Sequence, residues 1–175
     1  MNLSEEVVNN NIFITGKPRT GKSTMINDII QESGLEAAGL RTPEIREGCK
    51  RKGFKLVDVA TGKEGILSHV DQEEGPRVSR YRVNMDDLER FTELALENIS
   101  QESDVVIIDE IGTMELFSDR FKDAVEKLLK SDKSVIAVLH RNHVGEYELY
   151  GEVYRLTGDN YDEVKTNIIT RLETI

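Results

Sequence analysis

The sequence predicts an α/β protein with a mainly parallel central sheet that is flanked by helices. Three observations lead to this fold class. Apolar strand-like segments alternate with amphipathic helix-like segments along most of the chain, and a glycine-rich loop joins the first segment of each kind. In addition, residues 105–108 (Val-Val-Ile-Ile) form a continuous β-branched run. Strands that are buried on both faces of a parallel sheet have such runs.

The glycine-rich loop follows the first predicted strand, residues 11–14, and carries the clearest chemical pattern. Residues 16–23 read Gly-Lys-Pro-Arg-Thr-Gly-Lys-Ser, which fits the pattern G-x-x-x-x-G-K-[S/T] of a phosphate-binding P-loop. Its glycines let the backbone curl so that successive N–H groups point at phosphate oxygens, at the positive end of the next helix. The predicted nucleotide-binding residues are Gly16, Lys17, Pro18, Arg19, Thr20, Gly21, Lys22, Ser23 and Thr24.

Two P-loop side chains have distinct expected roles. Lys22 is expected to reach the β- and γ-phosphates, and Ser23 is expected to offer its hydroxyl to Mg²⁺. A helix is predicted to begin at Thr24, because apolar residues follow at helical spacing, and to end at Ser33-Gly34, because glycine commonly terminates helices. The loop indicates that a polyphosphate binds, and the reaction depends on other residues.

An acidic pair, Asp109-Glu110, directly follows the β-branched run. In the Walker B strand of a P-loop protein, the aspartate holds Mg²⁺, usually through water, and an adjacent glutamate can polarise the water that attacks the γ-phosphorus. A solvated strand end is the simpler interpretation, but the P-loop in the same chain favours the metal site. We therefore predict Ser23 and Asp109 as metal ligands and Glu110 as a catalytic residue with Lys22. The Asp-Glu order also favours the additional-strand class of P-loop proteins.

The remaining elements follow from hydrophobic periodicity. Helices are predicted at residues 85–99, 118–130 and 161–172, and strands are predicted at residues 134–139 and 152–156. Residues 41–83 interrupt this alternation with short strand-like segments at 54–59, 65–70 and 81–83, which glycine-containing turns separate. We interpret this interruption as a small antiparallel excursion. No repeat or linker divides the chain, so a single domain, 1–175, is predicted.

Composition narrows the classes of partner and location. The net charge of −10 and the pI of about 4.9 disfavour binding to nucleic acid or to an anionic membrane. No segment approaches the ~20 apolar residues of a membrane span, and residues 1–6 lack the basic-then-apolar order of a signal peptide. Cys49 is the single cysteine, so no internal disulfide can form. We expect a cytoplasmic monomer whose partners are nucleoside triphosphates.

The excursion begins with the most basic stretch of the chain. From Arg41 to Lys55 there are six Lys or Arg residues and only two acidic residues, Glu44 and Glu47. On an acidic protein, such a stretch can raise the local concentration of a nucleoside triphosphate. A solvated turn whose charges have little effect is the alternative for most of these residues. Arg46 is the one that we single out as a catalytic candidate.

Five segments together resemble the THEP1 family of nucleoside-triphosphatases. They are the P-loop and residues 44–48 (Glu-Ile-Arg-Glu-Gly), 53–57 (Gly-Phe-Lys-Leu-Val), 109–117 (Asp-Glu-Ile-Gly-Thr-Met-Glu-Leu-Phe) and 156–160 (Leu-Thr-Gly-Asp-Asn). The segment 109–117 is the most specific, since phosphate chemistry does not require Gly112, Met114 or Glu115 at those spacings. The resemblance implies a RecA-like α/β P-loop fold. It also implies slow, Mg²⁺-dependent hydrolysis of several nucleoside triphosphates to diphosphates, with little base preference.

Two departures from the family pattern concern the candidate site. The P-loop carries Lys17 and Arg19 where small residues are usual, and these charges either tighten phosphate binding or point to solvent. The usual Asn-Arg after the last strand is Asn160-Tyr161 here. An arginine in the same chain can stabilise the γ-phosphate charge by as much as ~10³ to 10⁵ in rate. Two arginines are candidates for this role, Arg46 and Arg141, and the sequence is also compatible with neither of them having it.

Other residues have two interpretations each. Glu115 is expected either to orient Glu110 or to cap the helix that begins near Ser118. Three aromatic residues can approach a base, although most aromatic residues in such chains belong to the core: Phe54, Tyr150 and Tyr154. The residues expected to pack beneath the loop after the acidic pair are Met114, Leu116 and Phe117. The three histidines lack the spacing of a zinc site.

Two other functions are compatible with the same motifs. A small-molecule or nucleotide kinase would use the excursion to hold an acceptor, and Glu110 would accept the proton of that acceptor. A nucleotide-dependent binding switch would couple slow hydrolysis to a partner surface. An acceptor requirement would identify the first function, and a partner that accelerates turnover would identify the second.

Overall fold

The computed structural model describes residues 9–175; residues 1–8, which include the segment compared with a signal peptide, lie outside the described part. Within the described part, the strands are β1 (Ile12–Gly16), β2 (Ala37–Arg41), β3 (Glu44–Glu47), β4 (Lys50–Asp58), β5 (Glu64–His69), β6 (Arg77–Val78), β7 (Tyr81–Val83), β8 (Val105–Ile111), β9 (Ser134–Leu139) and β10 (Glu152–Leu156). The helices are α1 (Lys22–Ser33), α2 (Met85–Glu97), α3 (Asp119–Leu129), α4 (Val144–Tyr147) and α5 (Tyr161–Glu173). Short 3₁₀ turns lie at Glu115–Phe117, Arg141–His143 and Glu148–Tyr150.

Five strands form the parallel part of the sheet, in the order β10-β1-β9-β8-β2. β9 lies between β1, which precedes the P-loop, and β8, which carries the acidic pair. This intervening strand is the feature that the additional-strand class predicts. Because the five strands are parallel, their carboxyl ends lie at one edge of the sheet, where α/β proteins bind their ligands.

The predicted excursion is antiparallel, and it extends the same sheet. β4 pairs with β2, and β5, β7 and β6 follow in that order, each antiparallel to its neighbour. β3 pairs with β4 as a hairpin. The excursion therefore continues the sheet beyond β2, on the side of β8 that is remote from β1.

Helices cover both faces of the parallel strands. Successive β1 residues point to opposite faces, since Phe13 belongs to a core cluster with α2 and α3, whereas Ile12 and Ile14 belong to a cluster with α1 and α5. All three are at most 1% exposed. Two-sided burial explains the continuous apolar runs in the sequence. Among residues 9–175, no helix combines the length and the apolar character that a bilayer crossing requires.

Most predicted elements are confirmed, although some of their limits shift. β9 and β10 have the predicted limits, while α1 begins at Lys22 instead of Thr24. Gly34 ends α1 as predicted, in a left-handed conformation (φ 67°) from which its N–H donates to the Ile30 carbonyl at 3.0 Å. β8 ends at Ile111, one residue beyond the acidic pair, so Asp109 and Glu110 lie at the carboxyl end of the strand as predicted.

Three strands, β2, β3 and β6, were not predicted. β2 reads Ala-Ala-Gly-Leu-Arg, which shows neither alternation nor β-branched residues. Its pairing with β8 forms it, and a Cβ at Gly39 (φ 124°) would collide with the carbonyl oxygen of Ile107. β3 and the first residues of β4 form a hairpin around Gly48 (φ 58°), so β4 begins at Lys50, before the predicted start at Phe54.

Candidate active site

The backbone of the P-loop leaves little room for side chains at its two glycines. Gly16 has φ 152°, and a Cβ there would lie 2.5 Å from the Leu156 carbonyl oxygen of β10. Gly21, which precedes α1, has φ 89°, and a Cβ there would lie 3.2 Å from the ring of Tyr161. Only glycine adopts such φ values without strain. The loop is therefore fitted against β10 and the start of α5.

Tyr161, which replaces the arginine of the family pattern, contacts the P-loop at Gly21. Its ring packs beside Gly21, and its hydroxyl donates to Asp28 Oδ2 of α1 at 2.6 Å. Burial, and then the hydrogen bond to Asp28, raise the pKa of Tyr161. In this chain the position thus joins α5 to α1, which is a structural contact.

Lys22 lies across the P-loop. Its ammonium donates to the carbonyl oxygens of Gly16 at 3.0 Å and Lys17 at 2.8 Å. Burial lowers the pKa of Lys22, the charge of Glu110 opposes this effect, and the positive charge of Arg141 adds to it. Lys22 therefore contacts the P-loop and lies close enough to Glu110 and Asp109 for their charges to affect its pKa. Lys17 and Arg19 have exposed side chains.

Ser23 and Asp109 form the pair that we predicted as metal ligands. The Ser23 hydroxyl donates to Asp109 Oδ1 at 2.7 Å, and Asp109 is only 4% exposed. Adjacent ligands of octahedral Mg²⁺, at about 2.1 Å from the ion, lie about 3 Å apart, so these two oxygens fit neighbouring positions around one Mg²⁺. Burial raises the pKa of Asp109, against the hydrogen bond from Ser23 and the charge of Arg41.

Two further residues contact Asp109, and sequence reasoning did not assign either of them to the site. Arg41 Nε lies 3.9 Å from Asp109 Oδ2, and the Thr42 hydroxyl donates to the Asp109 carbonyl oxygen. Arg41 is paired with Asp109 in the register of β2 and β8. Arg41 is the last residue of β2 and Thr42 follows it, so both lie at the edge of the sheet that carries the site. The sequence did not reveal this position, because β2 itself was not predicted.

Glu110 and Glu115 face each other across Gly112. A Cβ at Gly112 would lie 2.8 Å from Glu110 Oε1 and 3.1 Å from Glu115 Oε2, so both carboxyl groups border the same small space. Burial raises the pKa of Glu110, and the charge of Asp109 raises it further, while the charges of Lys22 and His143 oppose the shift. Glu115 is 5% exposed; burial and then the charge of Glu110 raise the pKa of Glu115 well above its usual value.

The structure decides between the two interpretations of Glu115. Helix α3 is capped by Ser118, whose hydroxyl oxygen accepts from the Phe121 N–H at 3.1 Å. The helix-cap interpretation of Glu115 is therefore wrong, and its position beside Glu110 is the one observed. Met114 and Leu116 pack against the core as expected, but Phe117 is 45% exposed, so the packing expectation is wrong for Phe117.

The basic stretch is largely neutralised by neighbouring carboxylates. Glu44 pairs with Arg46 at 2.7 Å and with Arg51 at 3.0 Å. The other pairs are Lys52 with Glu47 at 3.6 Å and Lys55 with Glu64 at 3.0 Å. Arg46 borders the cleft with its side chain 53% exposed. Arg141 is exposed and near enough to Lys22 to lower the pKa of that lysine.

A continuous cleft of about 870 Å³ connects these groups. It begins at P-loop residues 18–19 and 21–24, passes Asp109, Glu110 and Glu115, and reaches the excursion at Arg46, Arg51 and Phe54. Of the three aromatic residues considered for base contact, Phe54 lines this cleft. Tyr150 and Tyr154 instead pack against the two core clusters, so neither is placed to contact a base in this cleft.

The comparisons with known proteins agree with this geometry. A family model described as NTPase matches residues 11–169. The nucleoside-triphosphatase THEP1 of Methanosarcina acetivorans is 45% identical over 168 residues, which cover 91% of this chain and 95% of that protein. The nucleoside-triphosphatase THEP1 of Pyrococcus abyssi is 38% identical over 166 residues, which cover 93% of this chain and 92% of that protein.

Solved structures show the same fold. The crystal structure of THEP1 from Aquifex aeolicus superposes with a TM-score of 0.81 at 31% identity, over 93% of this chain and 99% of that chain. The solution structure of a human cancer-related nucleoside triphosphatase superposes with a TM-score of 0.77 at 29% identity, over 94% and 98% of the two chains. Together with the P-loop and the acidic edge of β8, these matches show that the chain belongs to the THEP1 family of nucleoside-triphosphatases.

Proposed function

We propose that this nucleoside-triphosphatase hydrolyses several nucleoside triphosphates slowly to the diphosphate and phosphate, in a reaction that requires Mg²⁺. The observation that carries the proposal is the 2.7 Å hydrogen bond between Ser23 and Asp109, with Glu110 adjacent on the same strand. It brings a P-loop hydroxyl, a buried carboxylate and a candidate base together at one end of the cleft.

The positions of the residues support specific roles. Lys22 and the P-loop N–H groups bind the β- and γ-phosphates. When bound to Ser23 and Asp109, Mg²⁺ would neutralise charge on the phosphate oxygens. Glu110 orients the attacking water and accepts its proton, and a carboxyl with a raised pKa is a better base at neutral pH. The rate should fall as pH falls through the raised pKa of Glu110, because the protonated carboxyl cannot accept a proton.

Broad base specificity is supported by the sequence. The chain contains no N-K-x-D sequence, which is the usual clamp for guanine. A nucleotide bound through its phosphates to the P-loop backbone needs no base contact to be positioned for hydrolysis.

The experiment is phosphate release from ATP, GTP, CTP and UTP with and without Mg²⁺, in the absence of any acceptor. We expect turnover of all four with Mg²⁺. Glu110→Gln should keep nucleotide binding and lower kcat by roughly 10² to 10⁴. Glu64→Gln is the matched control, since Glu64 is an exposed carboxylate that pairs with Lys55. An unchanged kcat in Glu110→Gln would assign proton transfer to another group.

A small-molecule kinase is the second candidate, because the cleft continues past Glu110 into the excursion. Tight nucleotide binding without phosphate release, followed by turnover once an acceptor is added, would favour the kinase. Steady release without an acceptor would favour the hydrolase.

A further inference from the structure

The cleft extends beyond the place where the γ-phosphate is expected to lie. In the sheet, β8 lies on one side of β1 and β10 lies on the other. The γ-phosphate must lie near Asp109 and Glu110, at the end of β8, because these groups act on it. The β2 strand and the excursion lie still further from β1 in that direction. The excursion end of the cleft is therefore on the γ-phosphate side.

This end of the cleft, which we call the distal cleft, has a consistent chemical character. It is lined by Glu44, Arg46, Arg51, Phe54, Leu67, Val78 and Met114. Two guanidinium groups and the carboxylate that binds them stand at an otherwise apolar wall that includes one aromatic ring. Such a combination of a few charged donors and an apolar surface is typical of small-molecule sites.

The two arginines are held in place by hydrogen bonds, and each has further N–H groups that could donate to a ligand. Glu44 accepts from Arg46 Nε at 2.7 Å and from Arg51 Nη1 at 3.0 Å, and Tyr81 accepts from Arg51 Nε at 2.9 Å. Within residues 9–175, Nη2 of neither arginine makes a hydrogen bond. Two arginines against one carboxylate also leave a net positive charge. An anionic group of a ligand would complement both features.

The apolar wall is formed by strands that pack firmly. Leu67 in β5 is 1% exposed, and the Phe54 ring in β4 meets the Tyr81 ring of β7 edge-on at 5.7 Å. The guanidinium of Arg51 lies 5.1 Å from the Phe54 ring centre. A flat apolar group that packs on this wall would bring an attached anion close to Arg51.

We propose that the distal cleft binds a second small molecule, an organic phosphate in which a phosphate monoester is attached to a flat apolar ring. Arg51 contacts the phosphate, and the ring packs against Phe54, Val78 and Met114. This molecule lies on the side of the γ-phosphate that is remote from the P-loop. The inference concerns binding, so it does not depend on whether the protein is a hydrolase or a kinase.

The test uses phenyl phosphate as the probe and inorganic phosphate as the comparison, with binding measured by titration calorimetry. Titrations are made on the nucleotide-free protein and on protein saturated with Mg²⁺, ADP and beryllium fluoride, which fill the P-loop. We expect phenyl phosphate to bind both forms with a Kd of about 1 mM or tighter, and to bind more tightly than inorganic phosphate. Binding of the ADP complex is measured separately, so a failure of nucleotide binding is distinguished from a failure of this proposal.

Two variants and a matched control locate the binding. Arg51→Gln and Phe54→Leu should each weaken phenyl phosphate by about tenfold, because one removes a charge-assisted hydrogen bond and the other removes the ring. Arg90→Gln is the control, since Arg90 also pairs with a carboxylate, Asp87, and lies 5.2 Å from the centre of an aromatic ring, that of Phe91, outside the cleft. Thermal unfolding checks that each variant is folded.

Three results would overturn the proposal. The first is that phenyl phosphate binds neither form of the wild-type protein. The second is that the ADP complex displaces phenyl phosphate. The third is that folded Arg51→Gln and Phe54→Leu bind phenyl phosphate as tightly as the wild-type protein does. Displacement would place the probe in the P-loop, and equal binding would place it outside the distal cleft.

Discussion

The acidic end of β8 and the basic stretch, which both line the cleft, differ in how deeply their charges are buried and in how they are paired. At the end of β8, three carboxyl groups with raised pKa values, Asp109, Glu110 and Glu115, are crowded together in a buried place. In the basic stretch, most charges are exposed and paired with a neighbouring carboxylate. Exposed pairs contribute little to stability, whereas crowded like charges in a buried site are unfavourable and mark a functional site.

The largest expected effect is on Lys22, whose ammonium lies at the P-loop beside the acidic region. Lys22→Ala should weaken the binding of Mg²⁺ and a nonhydrolysable triphosphate by at least about 100-fold, because charge-assisted hydrogen bonds to the phosphates are lost. Titration calorimetry measures this loss, and Lys63→Ala, at an exposed turn, is the control. Lys17→Ala in the same series shows whether the extra P-loop charges tighten binding. Wild-type affinity in Lys22→Ala would remove the lysine from the phosphate site.

Arg46 tests whether an exposed and paired charge contributes to catalysis. We expect Arg46→Gln to lower kcat at least about 10²-fold, because its guanidinium would stabilise the charge of the transferring phosphoryl group. Arg90→Gln is the control, and Arg141→Gln tests the other candidate. Unchanged kinetics in Arg46→Gln would mean that the basic stretch is only a solvated surface.

Glu115 tests the buried region in a different way. A buried carboxyl beside a carboxylate is held protonated, and a glutamine side chain mimics its hydrogen-bond donor. Glu115→Gln should therefore keep kcat, while Glu115→Ala should lower kcat by about tenfold, because Glu110 loses its neighbour and its orientation. Equal losses in Glu115→Gln and Glu115→Ala would show that an ionised carboxylate is needed.

The same residue should also change the pH dependence of stability. Since its pKa is raised in the folded protein, the folded state holds a proton that the unfolded chain has lost between the two pKa values. The free energy of unfolding should therefore fall as pH rises from the unfolded pKa of Glu115, about 4.3, through its raised folded pKa. Glu115→Gln should reduce this fall, as measured by denaturant unfolding at several pH values. A parallel pH dependence in both proteins would contradict the raised pKa.

The smallest effect is expected for an exposed ion pair of the excursion. Lys55 and Glu64 are 3.0 Å apart, with side chains 39% and 55% exposed. Lys55→Ala should lower the free energy of unfolding by less than about 1 kcal/mol, because solvent screens the pair. Denaturant unfolding measures this change, and a loss of several kcal/mol would show that the pair supports the β4–β5 hairpin.

The central parallel strands β1, β8 and β9 were predictable because they are apolar on both faces. Residues 134–139 and 152–156 have the predicted limits as β9 and β10, and the β-branched run at 105–108 lies within β8. β2 was missed because its Ala-Ala-Gly-Leu-Arg sequence has no periodicity of its own. It is a strand because Gly39 allows close approach to Ile107, a long-range contact that local patterns do not contain.

By itself, the sequence determined the P-loop, the acidic pair and most of the parallel strands and helices, since each depends on neighbouring residues and their spacing. Only the tertiary structure decided that Arg41 contacts Asp109, that Glu115 faces Glu110 and that Tyr161 supports the P-loop. The pairing of β2 with β8 creates the first of these contacts, the turn that follows β8 creates the second, and the packing of α5 on α1 creates the third. Burial then raises the pKa values of Asp109, Glu110, Glu115 and Tyr161, because desolvation depends on what surrounds a group in the fold.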